Sequence, residues 1–188
     1  MWKKEIHKFL EINPIDFELV QNQSVFELLF IPRYQLFLHL IDIETFQSNI
    51  LPHNYFQEFS DKFNAQNQRI IHLWEDVYLS NADLVKSRLL SIVGNFTRLH
   101  GRHCIVKRID ENMSNNFLRI NHLQGSVKAK FKYGLFLKPQ YVKRFLYTLD
   151  DNLNTESFLV AVATFSGGRT MKIGERAGKR SFELIRFA

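Results

Sequence analysis

The sequence predicts an α/β (α+β) chain in two parts, and three observations carry that reading. Apolar runs in the first half come in the order helix, strands, helix, strand, helix, as in an α/β core of about 100 residues. The second half consists of strong strand-like runs separated by basic loops. The charge changes where the architecture does: residues 1–100 hold 9 Lys+Arg against 12 Asp+Glu, a net of −3, whereas residues 101–188 hold 16 against 7, a net of +9. The expected domains are 1–97 and 98–188, with the boundary between Val93 and Arg102.

The elements follow from local patterns. Residues 2–11 place Trp2, Ile6 and Phe9–Leu10 on one side of a helix, and Asn13-Pro14 ends it. Phe17–Val20, Val25–Ile31 and Gln35–Ile41 are strand-like, with Pro32-Arg33 marking a hairpin between the last two. Residues 53–66 form a helix with a polar face, Arg69–Leu73 a short strand, and Asn81 or Asp83 caps a helix to about Val93, stopped by Gly94. Then come a strand at His103–Ile109, a helix at Asn112–Asn121, and strands at Lys130–Leu137, Phe158–Phe165 and Ser181–Phe187. Pro139–Thr155 is an insertion with a helix at Tyr141–Leu149, and Ser166–Arg180 is a Gly- and Arg/Lys-rich loop.

Composition narrows the class. With 45% hydrophobic residues the chain has material for a core, and its 18 Phe sit largely in strand-like runs, where packing is their expected role. The single cysteine, Cys104, excludes an internal disulfide and Cys-rich zinc modules, and its place in a strand makes it a small packing residue. The N-terminus has no apolar signal-peptide core, and no apolar run approaches the ~20 residues of a membrane span. A cytoplasmic protein is expected. A pI of about 9.5 favours a polyanionic partner.

The run RIIHLWEDVYLSNADLVKSRLLSIVG, Arg69–Gly94, resembles the closing segment of nuclease domains related to the very-short-patch-repair endonuclease, where a strand ends in Ile/Leu-Trp/Phe-Glu-Asp and a helix with a Val-x-Ser-Arg core follows. The next run, RHCIVKRI, is similar to the following strand of phage homing endonucleases of this kind. FLRINHLQG, KYGLFL, LVAVATFSGGR and SFELIRFA look like the accessory region of the same phage and bacterial proteins, whose strand pattern is similar to an N-acetyltransferase-type fold. The resemblance spans residues 69–188 and extends more weakly over 17–68. It implies a restriction-endonuclease-like N-terminal core followed by a partial N-acetyltransferase-like mixed sheet, in a mobile-element or phage-related protein.

The resemblance also implies where a nuclease site would be. Relatives carry a metal-binding Asp on a strand that ends in Pro, and a Glu on the next strand. The matching positions are Leu28 and His39, and where relatives carry His and Lys this chain has Phe56 and Phe59. Phosphodiester cleavage with Mg²⁺ needs oxygen ligands. Leu supplies none and His is a poor Mg²⁺ ligand. Glu27, Asp42 and Glu44 make a loose acidic pattern, but alternation turns Glu27 away from Leu28. Glu75-Asp76, at a strand end before a helix, is a possible inherited acidic site or a helix cap. Glu75, Asp76, Asp42 and Glu27 are thus the candidate catalytic residues, and no metal ligand is assigned. No cofactor is expected, except Mg²⁺ under a nuclease reading. An acyl-coenzyme A site needs a Gly-rich loop opening a helix after the central strand. The chain reaches Ala188 before that loop, and SGGR, Ser166–Arg169, is expected to be a hairpin turn, so an acyltransferase would need sequence beyond 188.

Nucleic-acid contacts are expected on the basic half. Lys128, Lys130 and Lys132 alternate as on one face of a strand, and Arg169, Lys172, Arg176, Lys179 and Arg180 share one loop. Arg102, His103 and Arg108 extend that face. His122 and Gln124 of NHLQG either touch a phosphate or base, or stabilise a turn with Gly125. The expected function is nucleic-acid binding, to duplex DNA, by a homing-endonuclease relative with a degenerate cleavage site. An active nuclease with a migrated site, an acyltransferase, and an inactive mobile-element remnant stay open.

Overall fold

The computed structural model describes residues 1–145 and 158–188, a mixed α/β chain with helices and several sheets. It divides into two compact units, Met1–Asn95 and Phe96–Ala188.

The first unit opens with α1 (Trp2–Ile12), whose buried Trp2, Ile6 and Leu10 recur every four residues along one face. Asn13 ends it, its side-chain amide donating to the Phe9 carbonyl at 2.8 Å. Strands β1 (Glu18–Val20), β2 (Glu27–Ile31) and β3 (Leu36–Ile41) follow, with a 3₁₀ turn at Pro32–Tyr34 closing the β2–β3 hairpin. Gln35 leaves this turn at φ 47, and its side chain donates to the Pro32 carbonyl. Next come α2 (Ile43–Ser48), α3 (Tyr55–Ala65), β4 (Arg69–Trp74) and α4 (Glu75–Ile92). The sheet order is β1-β2-β3-β4, antiparallel except for the parallel β3–β4 pair. Strand β3 lies between β2 and β4 and all six of its residues are buried, which explains its near-continuous apolar run, LFLHLI. On one face Leu28 and Phe37 pack against Phe59 and Phe63 of α3. On the other, Glu27 meets His7 of α1, and α1 touches α4 where Trp2 packs 5.6 Å from Tyr78.

Two boundaries depart from the sequence expectation. Helix α4 begins at Glu75, not after Asn81. Asn81 breaks helical geometry inside it (φ −145, ψ 42), so the expected cap residue marks a kink between two helical segments. Helix α2 was not anticipated, because it is only six residues long; the Asp42 carboxylate caps it by accepting from the Thr45 amide at 2.9 Å.

The second unit contains β5 (Cys104–Arg108), α5 (Glu111–Asn121), β6 (Phe131–Leu137), α6 (Pro139–Phe145), β7 (Phe158–Phe165), the short β8 (Arg169–Thr170) and β9 (Arg180–Ser181), and β10 (Leu184–Phe187). The expected helix at Tyr141–Leu149 lies partly outside the described residues, and residues 150–155 of the Pro139–Thr155 insertion lie wholly outside them. Asp110 caps α5 through the Met113 amide at 2.8 Å. The main sheet has order β10-β7-β6-β5 and is antiparallel throughout, so the expected mixed sheet is in the first unit and not here. Its central pair stays bonded from Phe131↔Phe165 to Leu137↔Phe158 around one bulge, without the splayed slot an acyl-coenzyme A site would use. The expected last strand is split: Arg180–Ser181 pairs with Arg169–Thr170 in a separate hairpin, and β10 rejoins the main sheet. The SGGR run thus leads into β8, and the hairpin's own turn lies beyond it.

Gly134 is where β6 needs glycine. A Cβ there would lie 2.7 Å from Leu159 Cδ1, 2.8 Å from Phe136 Cε2 and 3.0 Å from Ile109 Cγ2. Three side chains would have to move together in packed space, so Gly134→Ala should cost roughly 1–3 kcal/mol. Calorimetric melting checks this; an unchanged melting temperature would show that the neighbours yield freely.

Candidate nucleic-acid interface

In the second unit the two faces of the main sheet differ. Helix α5 covers one face, where Glu111 sits 3.9 Å from Lys132 and Leu118 is buried. Helix α6 covers only one end of the other face, packing Val142 on Cys104 and Leu137. Burial raises the Cys104 thiol pKa against the opposing Lys138 charge, in keeping with a packing role. Beyond α6 no other described helix covers that second face, and residues on it are solvent-exposed. Register places Arg108, Tyr133, Ala163 and Phe187 in one row across four strands, and Phe131, Phe165 and Leu184 in the next. Tyr133 is 36% exposed, Leu184 54% and Phe187 64%.

The expected basic residues fall into three groups. Arg108 lies on this open face, its guanidinium 5.7 Å from the centre of the Phe131 ring. Arg169 and Arg180 sit on the neighbouring β8–β9 hairpin, and Arg180 stands over Phe182, itself 5.6 Å from Phe131. Arg176, Lys179 and Arg180, with Met171 and Ser181, line a cavity of ≈ 280 Å³ in that hairpin. Lys172 is exposed on the same loop, whose glycines Gly174 and Gly178 both take φ 82. Arg102 is exposed in the turn before β5, where its carbonyl accepts from Lys138 Nζ at 2.8 Å and its Nε approaches His103 Nε2. His103 is buried and stacks on Tyr141 at 4.2 Å, so it serves packing and not an outer surface.

The lysine stripe requires correction. Strand β6 begins at Phe131, so Lys128 and Lys130 precede it, and both are exposed. Lys132 is in the strand but on the α5 side. Its ammonium donates to the Ala129 carbonyl at 2.8 Å, and its side chain is 13% exposed. The three lysines therefore do not form one surface row. His122 Nδ1 accepts from the Gln124 amide at 3.2 Å beside Gly125 at φ 62, which is the turn role; Gln124 itself is exposed.

In the first unit Leu28, His39, Phe56 and Phe59, the positions that the sequence resemblance sets against nuclease residues, converge, and none of them is a carboxylate. Leu28 pairs with His39 across the sheet and is packed on Phe59; the His39 ring stacks on Phe59 at 4.8 Å and lies 6.1 Å from Phe56. The four candidate acids are otherwise engaged. Glu27 turns to the opposite face, 2.6 Å from His7. Asp42 caps α2 and pairs with Lys3 at 2.6 Å; partial burial would raise its pKa, but the Lys3 and Thr45 hydrogen bonds outweigh this and hold it at about 2. Glu75 accepts from the Ile43 amide at 3.0 Å, and Asp76 is exposed and accepts from the Val77 amide. Asp76 is thus inside the first turn of α4 and not its N-cap, which is Trp74. Among the described residues no group of three or more His, Cys, Asp or Glu is placed to hold a metal ion.

What occupies this region instead is a hydrogen-bonded relay that sequence reasoning missed. Ser60 Oγ lies 2.8 Å from the Phe56 carbonyl, which can only accept, so Ser60 donates there and accepts from His72 Nε2 at 2.9 Å. His72 Nδ1 is then free to accept from His39 Nδ1 at 2.9 Å. His39 Nε2 in turn accepts from the Ser24 hydroxyl at 2.7 Å, and Ser24 accepts from the Tyr55 hydroxyl and the Phe26 amide. Every donor points one way along Tyr55, Ser24, His39, His72 and Ser60, with both imidazoles neutral. Burial first, and then the neighbouring His72, lower the His39 pKa to about 3; burial also lowers that of His72. Phe56 separates the pair from a groove of ≈ 600 Å³ that it lines with Phe46, Ile50 and Trp74. The signal was present in the sequence: FLHLI and IIHLW place a histidine at the same point of two apolar strands, and parallel register sets His39 opposite His72.

Comparison with protein-family models, curated proteins and solved structures finds no match to this chain. No helix among the described residues is long and apolar enough to cross a membrane.

Proposed function

We propose that this chain binds nucleic acid, DNA in particular, through its second unit, and that its first unit is a nuclease-like domain whose cleavage site has been replaced by the histidine relay. One observation carries the reading. The second unit holds a large cationic excess, and among its described side chains Lys132 is the only Lys or Arg within ion-pair distance of a described carboxylate. The exposed cations of the hairpin and of β5 are therefore not matched locally by acids, which leaves their field available to a polyanion. The first unit supports the second half of the proposal. Its matched positions carry Leu28, His39, Phe56 and Phe59, and its nearby acids hold helix termini and ion pairs.

Fluorescence anisotropy with a labelled duplex tests this over a salt series. Binding should weaken as salt rises, with a slope of about −0.9 in log K against log salt per phosphate neutralised. Replacing Arg176, Lys179 and Arg180 together by Ala should flatten the slope by about 2–3 and weaken different sequences alike, because phosphate contacts carry no base code. Replacing Arg33 and Lys62 in the first unit should leave both unchanged. Absence of binding at low salt, or an unaltered slope in the triple variant, would sink the reading.

A further inference from the structure

The open face of the second sheet has a chemistry of its own. Its rows set the rings of Tyr133, Phe131 and Phe165 on the two central strands and Phe187 on the edge strand β10. Tyr133 and Phe187 flank Ala163, a small floor residue, so with a strand spacing of ~4.8 Å the two rings stand about 10 Å apart with space between them. Arg108 and Arg180 are held at the margins by cation–π contacts with Phe131 and Phe182. Rings on an open four-stranded antiparallel face, bordered by guanidinium groups, offer π-faces to unpaired bases and charge to the backbone joining them. A duplex keeps its base faces stacked inside and cannot use such rings.

We infer that this aromatic face is a stacking platform for single-stranded DNA, an inference that rests on the nucleic-acid reading above but moves the preferred ligand from duplex to single strand. Charge selects a polyanion, and exposed rings select one with free bases. Among the residues beside the rings, Val106, Ala163 and Leu184 are carbon, which suits deoxyribose and leaves a 2′-hydroxyl only the Tyr133 hydroxyl and the marginal guanidinium groups as polar partners.

The full chain is titrated by anisotropy into labelled dT20, U20 and a 20-base-pair duplex at 150 mM salt. The expected result is dT20 bound at least tenfold tighter than duplex and no weaker than U20. Tyr133→Ala and Phe187→Ala should each weaken dT20 about fivefold or more, the order of one lost base stack, and alter duplex binding less than twofold. Tyr133→Phe should keep dT20 affinity, since it keeps the ring. Irradiating the wild-type complex with bromodeoxyuridine-substituted dT20 should cross-link peptides containing Tyr133 or Phe187, a readout that requires no variant to fold. Equal or tighter duplex binding or unaffected Ala variants would overturn the platform and leave the proposed function standing, whereas cross-links confined to residues 1–95 would overturn both. Tighter binding of U20 would overturn the assignment to DNA. A wild-type dimer that Phe187→Ala converts to monomer would make this face a contact between copies and overturn the platform too. Binding of none of the three at low salt removes both readings.

Discussion

His39→Ala should destabilise the first unit by about 3–5 kcal/mol. The ring is wholly buried, so truncation leaves a cavity and strips partners from both Ser24 and His72. For a unit of 95 residues this amounts to a melting temperature lowered by roughly 15 °C or more. The measurement is selective, because both tryptophans of the chain, Trp2 and Trp74, lie in this unit and their fluorescence reports its unfolding alone. His39→Leu and His72→Leu should each be costly, yet the double variant should cost less than their sum by about 1 kcal/mol or more, since removing both partners leaves fewer orphaned polar atoms than removing one. A loss below 1 kcal/mol for His39→Ala, or strict additivity in the Leu series, would mean that the relay contributes little.

Acid should weaken the same unit well before carboxylates titrate. His39 stays neutral in the folded state down to about pH 3, whereas in the unfolded chain it takes up a proton near pH 6.5. Between those values the unfolded state binds more protons. The stability from the neutral relay is therefore fully present above pH 6.5 and is lost as pH falls toward 3, at about 1.4 kcal/mol per pH unit for this one group. His72, also lowered by burial, acts in the same direction. From pH 6.5 to 4.5 the expected loss from His39 is about 2 kcal/mol, to which His72 adds. A second proton on His72 would set its Nδ1–H against that of His39, so the wire has no internal way to store the added charge. Tryptophan-detected urea unfolding across this range is the check. A flat stability in the wild type, or an equally steep fall in a His39→Gln/His72→Gln variant, would show that other groups control the acid response.

Much of the backbone was legible because the relevant forces are local. Apolar runs such as LFLHLI and FLVAVATF identified β3 and β7, and the four-residue spacing of Trp2, Ile6 and Leu10 identified α1. Short elements held by side-chain caps were not legible; α2 depends on Asp42 and on Glu75, which is 32 residues away from the amide it accepts from. The candidate sites were harder still. Alternation alone put Lys128, Lys130 and Lys132 on one strand face, but it could not foresee that β6 starts at Phe131 or that α5 would cover Lys132. The His39–His72 contact depends on the parallel register of strands separated by two helices, which the FLHLI and IIHLW similarity suggests only once that pairing is known. The Phe187 ring was expected to pack, as Phe in strand-like runs usually does, and nothing in the sequence distinguishes Tyr133; that α6 covers only one end of their face is a property of packing.

The position of β5 at the rim of its sheet has a consequence for how the chain keeps apart from its own copies. Among the described residues no further strand pairs with its outer edge, and Ile105 and Val106 there are 44% and 64% exposed, the composition that lets one rim zip onto another. Lys107 and Arg108 immediately follow, and two such rims brought together would meet with like charges across a desolvated seam. Cations at this position are the kind of charge that disfavours edge-to-edge growth. Neutralising them chemically, or screening them with concentrated salt, should remove that repulsion and raise the tendency of this edge to pair with another, which light scattering across a salt series would read.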